Sequence, residues 1–300
     1  MRISDEDRQK LRELPAWLKA QIIGQDNAVE LVAERLQHGE LGLTFPGRPK
    51  ASFLFLGPTG VGKTELSQQF TTHLLGSSKL VRLDMSEYQT PDRVPLLIDR
   101  IAAGFESCKG IGTLLFDEIE KAHRQVLDIL LQLLDAARLT AGANRILDFT
   151  PWYVVLTSNI GAQRIMAMRK SKYETMERLV RQDAQRELRP EIFARVTATV
   201  VFDKLDYDTQ CRIADAMVQK ELAGQTARHA FELSSSRDVV DAVIKRGYHD
   251  RLGARPMRDA TELLVRNALA ADLLAGGDGS GRLLATVTGS KLKLCSPSSD

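Results

Sequence analysis

Cysteine is scarce in this chain of 300 residues, with only Cys108, Cys211 and Cys295, and no two of them form a CxxC pair. Neither a disulfide framework nor a zinc site is suggested, and a reducing cytosol is the expected location. Long apolar runs are lacking too. No stretch approaches the roughly 18 apolar residues that a membrane helix needs, and the opening MRISDEDRQK is charged rather than apolar. The expectation is no signal peptide, no transmembrane segment and no membrane partner. Excess charge is also missing: 41 basic residues against 39 acidic give a net of +2, so no bulk field argues for nucleic acid. One local exception runs from Arg164 to Arg195, with nine basic residues against five acidic. The signs are interspersed at helical spacing, which reads first as a solvated helix face and second as a binding patch.

What is present is a hydrophobic content of 43%, enough for one large core and a smaller satellite. Five apolar runs alternate with helical patterns: SFLFL (52–56), LVRLDM (80–85), TLLFD (113–117), YVVLTS (153–158) and TATVVF (197–202). That alternation predicts an α/β fold with a parallel sheet. After the first run, KTELSQQFTTHLLG places Leu66, Phe70 and Leu74 on one helical face, with Gly76 as its stop. The sheet pattern ends near Phe202, and DVVDAVIKRGY and PMRDATELLVRNALAADLLAGG predict a second, mostly helical domain. A hairpin is expected after it, with GGDGSG as its turn and RLLATVT and KLKL flanking. The expected division is a helical leader over 1–20, a nucleotide-binding α/β domain over 21–202, a small helical lid with the hairpin over 203–294, and a tail over 295–300.

GPTGVGKT, residues 57–64, matches the phosphate-binding P-loop, with a strand before it and a helix after it. Gly57, Gly60 and Gly62 let the backbone curl so that the N–H groups of Pro58's neighbours, Thr59 and Val61 included, point at phosphate oxygens. Lys63 would reach the β- and γ-phosphates of ATP, and the Thr64 hydroxyl would ligate Mg²⁺. Some fifty residues on, TLLFDE delivers Asp117 and Glu118 to the C-terminal end of a strand, where ligands bind in open parallel sheets. Asp117 suits the Mg²⁺ shell, and Glu118 suits orienting and deprotonating the attacking water. An acidic pair after a strand is common as a helix cap; its pairing with the P-loop is what makes it informative.

At this point the residues resemble the AAA+ ATPases, in their Clp branch. IIGQDNAVELVAERL, SFLFLGPTGVGKTEL, RLDMSEY, LLFDEIEKAH, ILLQLLDAARLT, LTSNIGA, RPEIFARV and GYHDRLGARPMR read like blocks of the C-terminal ATPase module of Clp disaggregases, in that family's order. The resemblance implies a P-loop NTPase fold with a five-stranded parallel sheet, flanking helices and a helical lid. It also implies ATP and Mg²⁺ as cofactors, assembly into a hexamer-like ring or spiral, and a protein partner. Ile22 and Ile23 would flank the adenine. Asn159 would be the sensor at the γ-phosphate, Arg195 the arginine finger reaching a neighbouring subunit's nucleotide, and Arg255 the second sensor. His123 in EKAH reads as structural.

One family element is missing. Clp unfoldases carry a glycine-flanked aromatic pore loop after DMSEY, but only 28 residues separate Tyr88 from Asp117 here, and they contain no GYVG. They fit one helix, PLLIDRIAAGFES, on which Phe105 after Gly104 falls, with a substitute grip at Phe105 as the lesser reading. The hairpin segment ARLTAGANRILDF, a second pore loop in relatives, is retained. The first expectation is therefore an ATPase that remodels, loads or switches a protein partner without processive threading. The alternatives are a compact Clp-like unfoldase, a nucleotide-gated scaffold and, less favoured, a DNA-associated ATPase.

Overall fold

The computed structural model describes residues 4–142, 145–168, 172–286 and 291–295. Arg169 and Lys170 of the basic segment, Ala143 and Asn144 of the ARLTAGANRILDF hairpin, and the expected tail beyond Cys295 lie outside them. The chain forms two compact units, Met1–Lys204 and Leu205–Asp300.

The first unit is built on a five-stranded parallel sheet: β1 (Ala51–Leu56), β2 (Leu80–Asp84), β3 (Thr113–Asp117), β6 (Tyr153–Ser158) and β7 (Ala198–Val201), in the order β2-β3-β6-β1-β7. The intervening β4 (Arg138–Ala141) and β5 (Arg145–Asp148) form a separate antiparallel hairpin. Every residue of β1, β3 and β6 is buried, as strands covered on both faces must be, and this is why they read as continuous apolar runs rather than alternating ones. β2 lies at the edge and is only partly covered, which leaves room for Arg82 in its middle.

Helices flank the sheet. α1 (Asp5–Gln21) packs on α2 (Asp26–Glu40) and on α3 (Lys63–Leu74), burying Leu11, Leu14 and Leu18. α3 buries Leu66 and Phe70, and Gly76, at φ +105°, accepts the turn that ends it. α5 (Arg124–Ala136) is capped by His123, whose ring nitrogen accepts the Gln125 N–H at 3.3 Å, a structural role, and α6 (Ala162–Ala167), α7 (Tyr173–Glu187) and α8 (Pro190–Arg195) follow β6.

The segment after Tyr88 is indeed a helix, α4 (Val94–Ser107). It resolves the question of Phe105. The ring stacks on Trp152 with centroids 5.6 Å apart and meets Phe149 edge-on at 5.1 Å, all three joined to the main hydrophobic core. The preceding Gly104 is needed for close packing, because a Cβ there would fall 2.7 Å from both γ-carbons of Val81. The Gly-Phe pair seats α4 against β2 and the aromatic cluster, and the expectation of Phe105 as a substitute grip is corrected.

The second unit contains α9 (Tyr207–His229), α10 (Arg237–Gly247) and α11 (Arg255–Leu274), with a three-stranded sheet ordered β10-β9-β8: β8 (Leu233–Ser235), β9 (Gly281–Ala285) and β10 (Leu292–Cys295). β9 and β10 are antiparallel, as the hairpin required, but GGDGSG is not their turn. It leads from α11 into β9, where Asp272 accepts the Gly279 N–H at 3.0 Å. The three-residue β8, parallel to β9, carried no sequence signal of its own.

Replacing Phe105 with Ala should lower the unfolding free energy by about 2–4 kcal/mol, the range for removing a large, partly buried aromatic side chain. Urea denaturation checks it; an unchanged midpoint would mean that Phe105 is a surface group after all.

Candidate functional site

The C-terminal ends of β1, β3 and β6 meet at one edge of the sheet, and the chain places a different chemical element after each. After β1 comes the P-loop. Gly57, Gly60 and Gly62 have φ of +133°, +73° and +108°, conformations that side chains rarely tolerate. At Gly57 a Cβ would also lie 2.5 Å from the Phe202 carbonyl oxygen, so β7's end closes off one wall of the loop. Pro58 and Val61 are buried and Thr59 is half-buried. Ile22 is buried with a methyl 3.5 Å from where a Gly62 Cβ would stand, while Ile23 beside it is half-buried.

Lys63 opens α3 and is 7% exposed. Its ammonium donates to the Gly57 and Pro58 carbonyls, the latter at 2.8 Å, and to Asn159 Oδ1 at 3.0 Å. Asn159, just beyond β6, uses both ends of its amide: Oδ1 accepts from Lys63, while Nδ2 donates to Glu118 Oε1 at 3.2 Å. Its backbone N–H donates to Glu120 Oε1 at 3.0 Å.

After β3 come the two carboxylates. Asp117 is buried and accepts from Arg82 Nε (3.0 Å) and Nη2 (2.6 Å) and from the Thr157 hydroxyl, with Thr64 Oγ1 3.4 Å from both its oxygens. The same Thr157 oxygen accepts the Glu118 N–H at 3.1 Å. Glu118 sits in the left-handed region at φ 58°, ψ 54°, a conformation that costs energy for a non-glycine residue. It turns the carboxylate from the strand direction towards Asn159 and Lys121, whose Nζ donates to Oε2 at 2.5 Å. That bond holds the lysine proton more tightly than usual. Opposite Asp117 in register stands Asp84, its pKa lowered chiefly by a hydrogen bond from Ser86.

The Thr64 hydroxyl and the Asp117 carboxylate face one another at the N-terminus of α3, a hard-oxygen pair of the kind that holds Mg²⁺ together with phosphate and water. Among the described residues no cluster of three His, Cys, Asp or Glu forms a cage of its own. Magnesium on a nucleotide requires none.

One candidate of the first unit lies apart. Arg195 ends α8 (Pro190–Arg195), and its carbonyl is 3.5 Å from the Ser52 hydroxyl, near the start of β1. Five strand residues at about 3.3 Å each put that end roughly 16 Å from the P-loop. Arg195 Nε is 3.5 Å from Asp135, which Arg48 also approaches at 3.6 Å. Arg255 begins α11 in the second unit and is exposed.

Comparison with known proteins agrees with this layout. Residues 48–199 match the AAA domain of the Cdc48 subfamily, and residues 205–282 match the C-terminal D2-small domain of ClpB protein. The chain is 35% identical over 287 residues to chaperone protein ClpB of Dichelobacter nodosus, covering 92% of this chain and 33% of that protein. It belongs to the AAA+ family, in its Clp branch. Mitochondrial ClpB4 of Arabidopsis thaliana is 34% identical over 293 residues, covering 91% of this chain and 30% of its own length. The chain thus spans about a third of these relatives. Among solved structures, the S. cerevisiae Hsp104–ADP complex superposes with a TM-score of 0.88 at 28% identity, over 98% of this chain and 53% of that one.

Against this AAA+ frame, four contributors escaped the sequence reading: Arg82, Lys121, Glu120 and Thr157. Period-two spacing along β2 puts Arg82 on the same face as Asp84, and Thr157 lies two residues before Asn159 at the end of β6, so position alone could have flagged both. Lys121 and Glu120 lie in the turn after Glu118, a stretch without periodicity to interpret.

Proposed function

We propose that this chain is a Mg²⁺-dependent ATPase that assembles with copies of itself and spends hydrolysis on remodelling a protein partner. The observation that carries the reading is the convergence of Lys63, Thr64, Asp117, Glu118 and Asn159 in one polar cluster at the carboxyl edge of the sheet. Lys63 binds the β- and γ-phosphates, and its present carbonyl and amide partners keep it aimed at the loop until they arrive. Thr64 and Asp117 hold the metal, which neutralises charge across the phosphates. Glu118 orients and deprotonates the attacking water, and Asn159 holds Glu118 on one side while sensing the γ-phosphate on the other. Ile22 and Ile23 take the adenine.

Arg195 serves a neighbouring copy. Its distance from its own P-loop supports action in trans, as does a guanidinium held only by long contacts to Asp135 and the Glu191 carbonyl. The second-sensor role of Arg255 rests on its motif alone. Within the basic segment, Arg164, Arg181, Arg189 and Arg195 each face an Asp or Glu, which favours the solvated-face reading over a nucleic-acid patch. Among the described residues no helix is long and apolar enough to cross a membrane. Three free cysteines suit a reducing compartment.

On the mode of remodelling, the short segment after Tyr88 argued for switching a partner without threading. Likeness to ClpB and Hsp104 favours a compact unfoldase instead. With Phe105 committed to the core, the β4–β5 hairpin is the remaining grip, and Ile146 on it is 64% exposed.

Glu118→Gln should bind nucleotide as tightly as the native chain and assemble, with turnover reduced at least about 100-fold. Arg195→Ala should lose about 10³-fold or more and no longer gain specific activity as protein concentration rises. Phosphate-release assays across the assembly range check both; undiminished turnover in either removes that residue from its role.

With ATP and a tailed, stably folded reporter, the native chain should produce sustained loss of reporter fold. Ile146→Ser should abolish that loss while keeping ATPase activity. A reporter that stays folded at full turnover supports partner switching instead.

A further inference from the structure

Arg82 has no role in the account above, yet it makes the strongest contact at Asp117. Nε and Nη2 both donate to Oδ2, at 3.0 and 2.6 Å, whereas Thr64, the other metal-binding group, stands 3.4 Å from both carboxylate oxygens, too far for a good O–H···O bond. The second oxygen, Oδ1, is engaged by Thr157, whose hydroxyl also fixes the Glu118 backbone. Both oxygens of the metal-binding carboxylate therefore have donors already.

We propose that Arg82 is a place-holder for the metal: its contact with Asp117 Oδ2 and Mg²⁺ binding exclude one another, so the guanidinium must swing away for Mg²⁺ to bind. The inference rests on the nucleotide-binding reading of this site and adds a control on its metal loading. Magnesium keeps several of its waters and would reach Asp117 either directly or through one of them, and either way it needs a carboxylate lone pair and sets a dication beside the guanidinium. An oxygen already accepting two guanidinium N–H bonds cannot offer that lone pair, and a dication and a guanidinium on one oxygen repel. The two ligands compete.

Burial says which partner leaves. The Asp117 side chain is 10% exposed and fixed at the strand end, whereas that of Arg82 is 48% exposed on the edge strand and regains water as it turns out. Asp84, two residues along on the same face of β2, offers the departing cation a second carboxylate. Before a metal binds, the arginine has a use. Asp117 lies opposite Asp84 and next to Glu118, and without a cation it would be a buried charge among like charges. Arg82 supplies that cation until the metal does, at the cost of weaker metal binding.

The test is a Mg²⁺ titration of the full chain with the fluorescent nucleotide mant-ADP, which reports metal binding without turnover. Arg82→Gln should lower the Mg²⁺ midpoint about threefold to tenfold relative to the native chain. Arg82→Lys, which keeps the charge but loses the two-pronged contact, should lower it by less. Thermal melts of the three proteins show whether each is folded. If Arg82→Gln does not fold, the Arg82→Lys midpoint decides. A midpoint that is unchanged or raised in the folded variants overturns the proposal, the raised case making Arg82 an organiser of the metal site rather than its competitor. If the native chain binds mant-ADP at no Mg²⁺ concentration, the nucleotide reading itself fails; a normal native titration with unshifted variants sinks the place-holder alone.

Discussion

Four carboxylates, Asp84, Asp117, Glu118 and Glu120, gather at one end of one sheet, and the first unit is organised around making that tolerable. Each has a donor: Ser86 for Asp84, Arg82 and Thr157 for Asp117, Asn159 and Lys121 for Glu118, and the Asn159 backbone for Glu120. The donors come from β2, β6 and the turn after β3, so the acidic edge cross-links the strands that form it. Asn159 extends the network to Lys63 and hence to the P-loop. Apart from Arg82, which gives way to a metal in the proposal above, groups fixed in this way do not need to reorganise when charge develops beside them, as in preorganised polar sites.

The apolar side of the sheet sets the limits on what the chain can do mechanically. Where relatives of the Clp branch carry an aromatic loop, this chain has a helix whose one aromatic residue is spent on the Phe149–Trp152 cluster. The close approach of α4 to β2, made possible by Gly104, holds the edge strand that presents Arg82 and Asp84. This segment supports the edge strand beside Asp117. Any grip falls to the β4–β5 hairpin, separate from the main sheet.

Much of this was legible in the residues. Doubly covered strands appear as unbroken apolar runs, and glycines at fixed spacing before Lys-Thr have few other uses, so the sheet and its phosphate loop could be read directly. Reading failed where the deciding fact was a partner distant in sequence. The sequence places Phe105 on its helix, but its packing partners Phe149 and Trp152 lie far along the chain and could not be read from it. The GGDGSG stretch has hairpin-turn composition, but the turn is decided by which strands pair, and β8 is too short to announce itself. Arg82 opens the RLDMSEY block, but nothing in that block names its partner Asp117, 35 residues away.

The account stands or falls on a triphosphate being held by Lys63. Calorimetric titration of the native chain and of Lys63→Ala with Mg-ATP addresses that most directly. The native chain should bind, and the variant should lose about 100-fold in affinity while melting at a similar temperature. Native protein that gives no heat with Mg-ATP, or a folded variant that binds it equally well, would contradict the account at its base.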